Sequence, residues 1–253
     1  MKTIKKAWFF AIVLIGIIII PTSGCNKEES ENGHDEDENG QQTTVTDIDG
    51  NVYKTVKIGY QVWMAENLRT TKYNDGTPIP TGYTNDEWKV LRTEAYTIYP
   101  HSGIEGLSSE ADVLEAYGAL YNYYAVQTGK LCPKGWRLPT FAEWRTLSDY
   151  AGGLGVAGGK LKSTRTSPAA AHPRWLNPNT GATDEYGFSA LPGGNRINDG
   201  SFSSVGRYGY WWSSITLDDF YAWSRSMGYD GKYMGQIINM KWEGLSVRCW
   251  KIN

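Results

Sequence analysis

The sequence predicts an α+β domain with two helices, short antiparallel strands and long loops. Three observations predict it. Period-two, β-branched runs beside tight turns mark strands toward both ends. A capped segment with one apolar face marks a helix between them. Glycine is abundant, 29 of 253 residues, which implies many turns and few long helices.

Asp47-Ile48-Asp49-Gly50-Asn51 opens the domain as a turn-forming cluster. Its D-x-D-G-N spacing is that of a calcium loop, but the downstream glutamate is missing, so a turn is expected. Residues 52–58 alternate at period two, Gly59-Tyr60 turns the chain, and residues 61–64 return as a hairpin partner. Residues 74–109 are poor in regular signals and read as long surface loops. A first helix is expected over 110–125, where Leu114, Tyr117, Leu120, Tyr121 and Tyr124 recur at helical spacing. Gly118 weakens its later half. The second helix starts at Thr140, which forms a capping box with Glu143, and presents Phe141, Trp144 and Leu147 on one face. The glycine-rich run 152–159 reads as a loop. Residues 210–214, 221–224 and 245–249 read as short strands, with turns at Asn198-Asp199-Gly200 and Asp230-Gly231.

The N-terminal region is different in kind. Lys2, Lys5 and Lys6 precede 14 uncharged residues, 7–20. That run is shorter than the roughly 20 residues a bilayer core requires, so it reads as a secretory leader. Thr22-Ser23-Gly24 before Cys25 resembles the lipobox of bacterial lipoproteins, in which the cysteine is lipidated and becomes the mature N-terminus. Residues 26–42 carry seven acids against one lysine and no apolar side chain, so a disordered tether is expected. The segment Cys25-Asn26-Lys27-Glu28-Glu29-Ser30 resembles the export signal of surface lipoproteins in Bacteroidetes-type bacteria. The expected organisation is a leader at 1–24, a lipidated acidic tether at 25–42 and one domain at 43–253. Its expected place is the outer membrane, lipid-anchored and exposed at the cell surface.

Charge then narrows function. The whole chain carries a formal −2, but the tether holds −6 and the leader +3, leaving +1 for the domain. A nearly neutral domain has no bulk field for nucleic acid, so no nucleic-acid partner is expected. His34, His101 and His172 lie far apart with no zinc-hydrolase spacing, and no nucleophile motif or phosphate loop is present. No catalytic residue, metal site or cofactor is therefore assigned. Calcium at the Asn/Asp loop of 195–200 is the lesser alternative to turn chemistry there.

There are 11 Trp and 17 Tyr but only 6 Phe. Trp and Tyr join apolar area to a polar handle. The most suggestive ligand-binding candidates are Asn195, Arg196, Asp199, Tyr210, Trp211, Trp212 and Trp223, where aromatic faces neighbour amide, carboxylate and guanidinium groups. Alternation along a strand turns at least one of Trp211 and Trp212 inward.

Several segments together carry a family resemblance. They are Trp63-Met64-Ala65-Glu66-Asn67-Leu68, Tyr117-Gly118-Ala119-Leu120-Tyr121-Asn122, the run from Cys132 through Gly135-Trp136-Arg137-Leu138-Pro139-Thr140, Gly187-Phe188-Ser189-Ala190-Leu191-Pro192-Gly193-Gly194, and Ser246-Val247-Arg248-Cys249. In this order they resemble the Fibrobacter succinogenes major paralogous domain, a family of secreted and surface lipoproteins. The resemblance implies a C-type lectin-like fold. It carries over no activity: the sugar-binding triplets of calcium lectins are absent, and Cys132 and Cys249 are 117 positions apart, unlike the close reactive pair of formylglycine-generating enzymes. In an oxidising compartment Cys132 and Cys249 are expected to pair, with two buried thiols as the alternative. The function these readings favour is non-enzymatic: a surface lipoprotein binding an extracellular glycan or protein. A structural or assembly component of the envelope is the alternative.

Overall fold

The computed structural model describes residues 44–252. The leader, Cys25 and the acidic tether lie outside the described residues. The chain runs β1 (Thr44–Thr46), β2 (Val52–Ile58), β3 (Gln61–Met64), α1 (Asn85–Val90), β4 (Tyr96–Thr97), a 3-10 turn (His101–Gly103), α2 (Glu110–Tyr117), β5 (Leu120–Tyr121), α3 (Tyr123–Val126) and β6 (Trp136–Arg137). It continues through α4 (Phe141–Tyr150), α5 (Leu154–Leu161), β7 (Gly193–Arg196), β8 (Phe202–Val205), β9 (Tyr208–Thr216), β10 (Tyr221–Gly228), β11 (Met234–Met240) and β12 (Trp250–Lys251).

This architecture corrects the expected fold class. The domain is β-rich, built on two curled five-stranded sheets, and only 19% helical. It is not a balanced α+β fold of the C-type lectin kind, and it has five short α-helices where two are expected. One sheet has the order β1-β2-β3-β12-β6, the other β11-β10-β9-β7-β8, and β4-β5 forms a small ribbon. The second sheet is mixed, because β7 pairs parallel to β9 at Gly194↔Gly209 while its other pairs are antiparallel.

The helices depart from expectation for identifiable reasons. The expected 110–125 helix breaks at Gly118, which sits at φ 79°. A Cβ there would meet Asn67 Cβ at 2.7 Å and the Leu68 carbonyl oxygen at 2.8 Å, so the chain turns into β5 at a point only glycine tolerates. The expected loop at 152–159 is largely helix α5. Its Gly158 lies against the backbone before β11, where a Cβ would come within 2.4 Å of the Tyr233 oxygen, and its Gly159 lies against the loop before β7, where a Cβ would come within 2.5 Å of the Gly181 oxygen. Those glycines serve close packing rather than flexibility. Helix α1 falls inside the expected loops at 74–109. Thr84 and Glu87 cap it reciprocally, and Trp88 is fully buried. Segment 245–249 is not a continuous strand; it makes isolated bridges such as Tyr121↔Leu245 and Trp211↔Ser246.

Other local readings hold. The Thr140–Glu143 capping box forms at the start of α4, and Arg137 pairs with Glu143 at 2.8 Å. The hairpin β2–β3 pairs from Thr55↔Met64 to Ile58↔Gln61. The Asp47–Asn51 cluster is a turn whose carboxylates are satisfied by their own chain. Asp47 accepts from the Asp49 and Asn51 amides and the Tyr53 hydroxyl, while Asp49 accepts from Thr70 and Thr71 and pairs with Lys72.

Two large apolar cores result. One joins Tyr53, Met64, Tyr121, Trp136, Trp212 and Val247. The other joins Trp63, Trp144, Trp175, Phe188, Trp211 and Met234. Cys132 and Cys249 are bonded to each other inside the first core.

Candidate functional site

The chain forms a cleft of about 1030 Å³. Strand β2, the 65–69 segment, helix α2 and the loops at 163–173 and 187–191 line it. Its rim alternates in charge: Lys54, Arg69 and Arg165 face Glu66, Asp112 and Glu115. Arg69 organises one wall. Its Nε lies 3.2 Å from Glu115, its Nη1 3.7 Å from Glu66, and its guanidinium covers the Tyr53 ring at 4.7 Å.

Asn67 forms part of the floor and has every hydrogen-bonding group engaged. Its Oδ1 accepts from Trp211 Nε1 at 2.9 Å and Arg248 Nε at 3.2 Å. Its Nδ2 donates to the Tyr117 carbonyl at 2.9 Å and the Ser246 hydroxyl at 3.4 Å. One amide thus ties together four distant segments. Arg248 is fully buried and donates to the carbonyls of Met64, Phe188 and Ser189, with no carboxylate paired to it among the described residues.

His172 closes the opposite wall. Its Nε2 lies 2.9 Å from the Glu105 carbonyl, which can only accept. The hydrogen is therefore assigned to Nε2, and Nδ1 accepts from the Tyr117 hydroxyl at 2.7 Å. Burial, with help from the guanidiniums of Arg174 and Arg165, lowers the His172 pKa and favours this neutral ring. Both imidazole nitrogens are committed to structure. The two serines that line the cleft are also engaged: Ser189 donates to Asp184, and Ser163 Oγ accepts from the Arg165 amide.

A family model described as the Fibrobacter succinogenes major domain matches residues 56–251. The chain belongs to that family. No curated protein and no solved structure matches it. In this Fibrobacter succinogenes major domain, the segments that carry the resemblance meet at the cleft: Ala65, Glu66 and Asn67 from one, Gly118 from another, Gly187, Ser189 and Leu191 from a third.

The surface expected from sequence around Asn195–Trp223 does not assemble in this Fibrobacter succinogenes major domain. Trp211 and Trp212 are both fully buried, one in each core, because β9 is covered on both faces. Neither is an exposed ligand platform. Their indole nitrogens bond inward, Trp211 to Asn67 and Trp212 to the Tyr121 carbonyl at 2.7 Å. Trp223 is half-buried against Phe141, with ring centroids 5.6 Å apart. Tyr210 is half-buried and stacks on Tyr208. Asn195 is buried and lines neither cleft described. Asp199 is exposed and caps the Ser201 amide at 2.8 Å. Among the described residues no three His, Cys, Asp or Glu side chains come together as a metal site.

Of that set, Arg196 lines one of the two clefts described. It lines a second, smaller cleft of about 380 Å³ together with Tyr83, Asn85, Tyr96, Thr97 and Phe202. Sequence reasoning singled out Arg196 but missed Tyr83, Asn85, Tyr96 and Thr97, which lie about a hundred positions upstream and leave no local pattern. The large cleft was missed altogether. Its signal was present only as the resemblance segments, whose convergence depends on the fold.

Proposed function

We propose that this domain is a non-enzymatic binding module, exported and held by a lipid on Cys25 at the outer face of the outer membrane, with a glycan or protein ligand in the large cleft. One observation carries the reading. The family-bearing segments converge on a cleft at the upper limit of the usual size range of ligand sites. Its rim offers both charge signs, and no Phe, Tyr or Trp lines it. Recognition there rests on charge and hydrogen bonds rather than on stacking, which favours a charged protein segment over a stacked sugar. The leader sequence supports export. The Cys132–Cys249 bond supports an oxidising compartment.

The test is an array of extracellular glycans and proteins probed with the full-length chain, followed by the exposed-rim double variant Lys54→Glu/Arg165→Glu. Binding that the double variant abolishes is the expected result. A folded chain with no hits, or hits indifferent to the variant, refutes the proposal.

A second reading has its own observation. Ile215, Leu217, Phe220 and Ile238 are 40–62% exposed on β9, its turn to β10, and β11. Exposed apolar side chains of this kind suit an assembly contact. An envelope-assembly role predicts that polar replacements there alter subunit association and leave array binding untouched.

A further inference from the structure

Five cationic side chains are buried with no carboxylate paired to them among the described residues: Lys162, Arg196, Arg225, Lys241 and Arg248. A buried charge needs compensation. For Lys162 it is complete, since the ammonium donates to the carbonyls of Thr180, Gly228 and Gly231 at 2.8–3.1 Å. Arg196 differs, because the residue lines a cleft.

The guanidinium of Arg196 is held as a plate. It lies 4.3 Å from the Trp88 ring centroid and 4.8 Å from that of Phe202. Nε donates to the Gly200 carbonyl at 2.8 Å, and Nη2 to the Tyr83 carbonyl at 2.9 Å and Asn85 Oδ1 at 3.3 Å. Nη1 has only Thr97 Oγ1, at 3.4 Å. A guanidinium has five N–H groups, so one on Nη1 is uncommitted and the other weakly engaged. The residue is only 2% exposed, so its charge is poorly solvated. A fixed, underused cation of this kind favours an anion with planar oxygens.

The rest of the cleft narrows the class. Its volume of about 380 Å³ suits one small ring rather than a polymer segment. Tyr83, Tyr96 and Phe202 supply ring faces or edges, and Thr81, Asn85 and Thr97 supply hydroxyl and amide groups. This combination suits a polyhydroxylated ring bearing a carboxylate. We propose that this second cleft is a subsite for an acidic sugar, with Arg196 binding its carboxylate. Helix α2 separates it from the large cleft: Glu110 lines the small one, while Ala111 and Asp112 line the large one. The proposal therefore stands whether or not the large cleft binds protein.

Calorimetric titration of the full-length chain in detergent tests it, with D-glucuronate, D-glucose and acetate as probes. Glucuronate is expected to bind at least about tenfold more tightly than either of the others, with a margin over glucose that shrinks in high salt. Arg196→Lys keeps the charge but loses the plate, and should cut glucuronate affinity by about tenfold. Should that variant fail to fold, Glu110→Gln on the exposed rim serves instead, since removing a like charge should strengthen glucuronate and leave glucose unchanged. Lys54→Glu/Arg165→Glu should leave glucuronate binding intact. No glucuronate binding by the folded wild type overturns the proposal. So does equal binding of glucose or acetate, or loss of glucuronate binding in the large-cleft variant.

Discussion

Gly155 and Gly158 sit one turn apart in α5, and the same substitution should act on them with opposite sign. Gly155 is exposed, and a Cβ there would meet nothing within 4 Å. Gly155→Ala should therefore keep the gain in helix preference, about 0.5–1 kcal/mol. At Gly158 the new methyl would stand 2.4 Å from the Tyr233 carbonyl oxygen and 2.8 Å from its carbon. Ordinary contact begins near 3.4 Å, so helix and turn must part by about 1 Å. That opening strains the Gly159 amide bond to the Lys232 carbonyl, now 3.0 Å, and the Gly231 carbonyl that holds Lys162. Overpacking costs about 1–3 kcal/mol and the lost hydrogen bond about 1 more, against the same helix gain. The net effect should be a loss of about 1–3 kcal/mol. Urea unfolding followed by tryptophan fluorescence would measure both variants, with an unchanged slope confirming a common transition. The two should differ by about 2–4 kcal/mol. Equal stability of the two variants would refute the packing of α5 against the turn.

Two further outcomes follow. The Cys132–Cys249 bond closes a separation of 117 residues, and the chain-entropy model assigns such a loop about 5 kcal/mol. Cys132→Ala/Cys249→Ala should lower the urea midpoint accordingly, and reductant should then have no further effect; a double variant as stable as the oxidised parent would contradict it. His172 has a folded pKa below its ordinary 6.5, so the unfolded chain binds more protons as the pH falls through that window. Stability should decline from about pH 6.5 toward the lowered folded value, and His172→Gln should flatten that part of the profile; a slope identical in both proteins would exclude His172 as its source.

Local chemistry made the legible parts of the fold legible. The Thr140–Glu143 box, the β2–β3 hairpin and the Asp47 turn each close within a few residues, so the sequence contains both partners. The Thr84–Glu87 box had the same form and could have revealed α1, but no apolar period accompanied it. Glycine was read as a loop former at 152–159, whereas its use there is to let one backbone approach another far away in sequence. Alternation correctly turned a tryptophan of the Trp211–Trp212 pair inward. It could not show that the opposite face of β9 is covered too, because the covering residues come from elsewhere. Arg196 was visible as a residue and invisible as a site for the same reason.

Strand β12 lies between β3 and β6, pairing Trp250 with Trp63 on one side and with Arg137 on the other. Two strands made early in synthesis thus gain their common neighbour only when residues near 250 arrive. Until then the first sheet has a gap in its middle, the core that holds Trp136 lacks Cys249, and the core that holds Trp63 lacks Trp250. Such long-range closure makes folding late as well as slow. The sheet is complete only when Cys249 and Trp250 reach partners that were synthesised long before them.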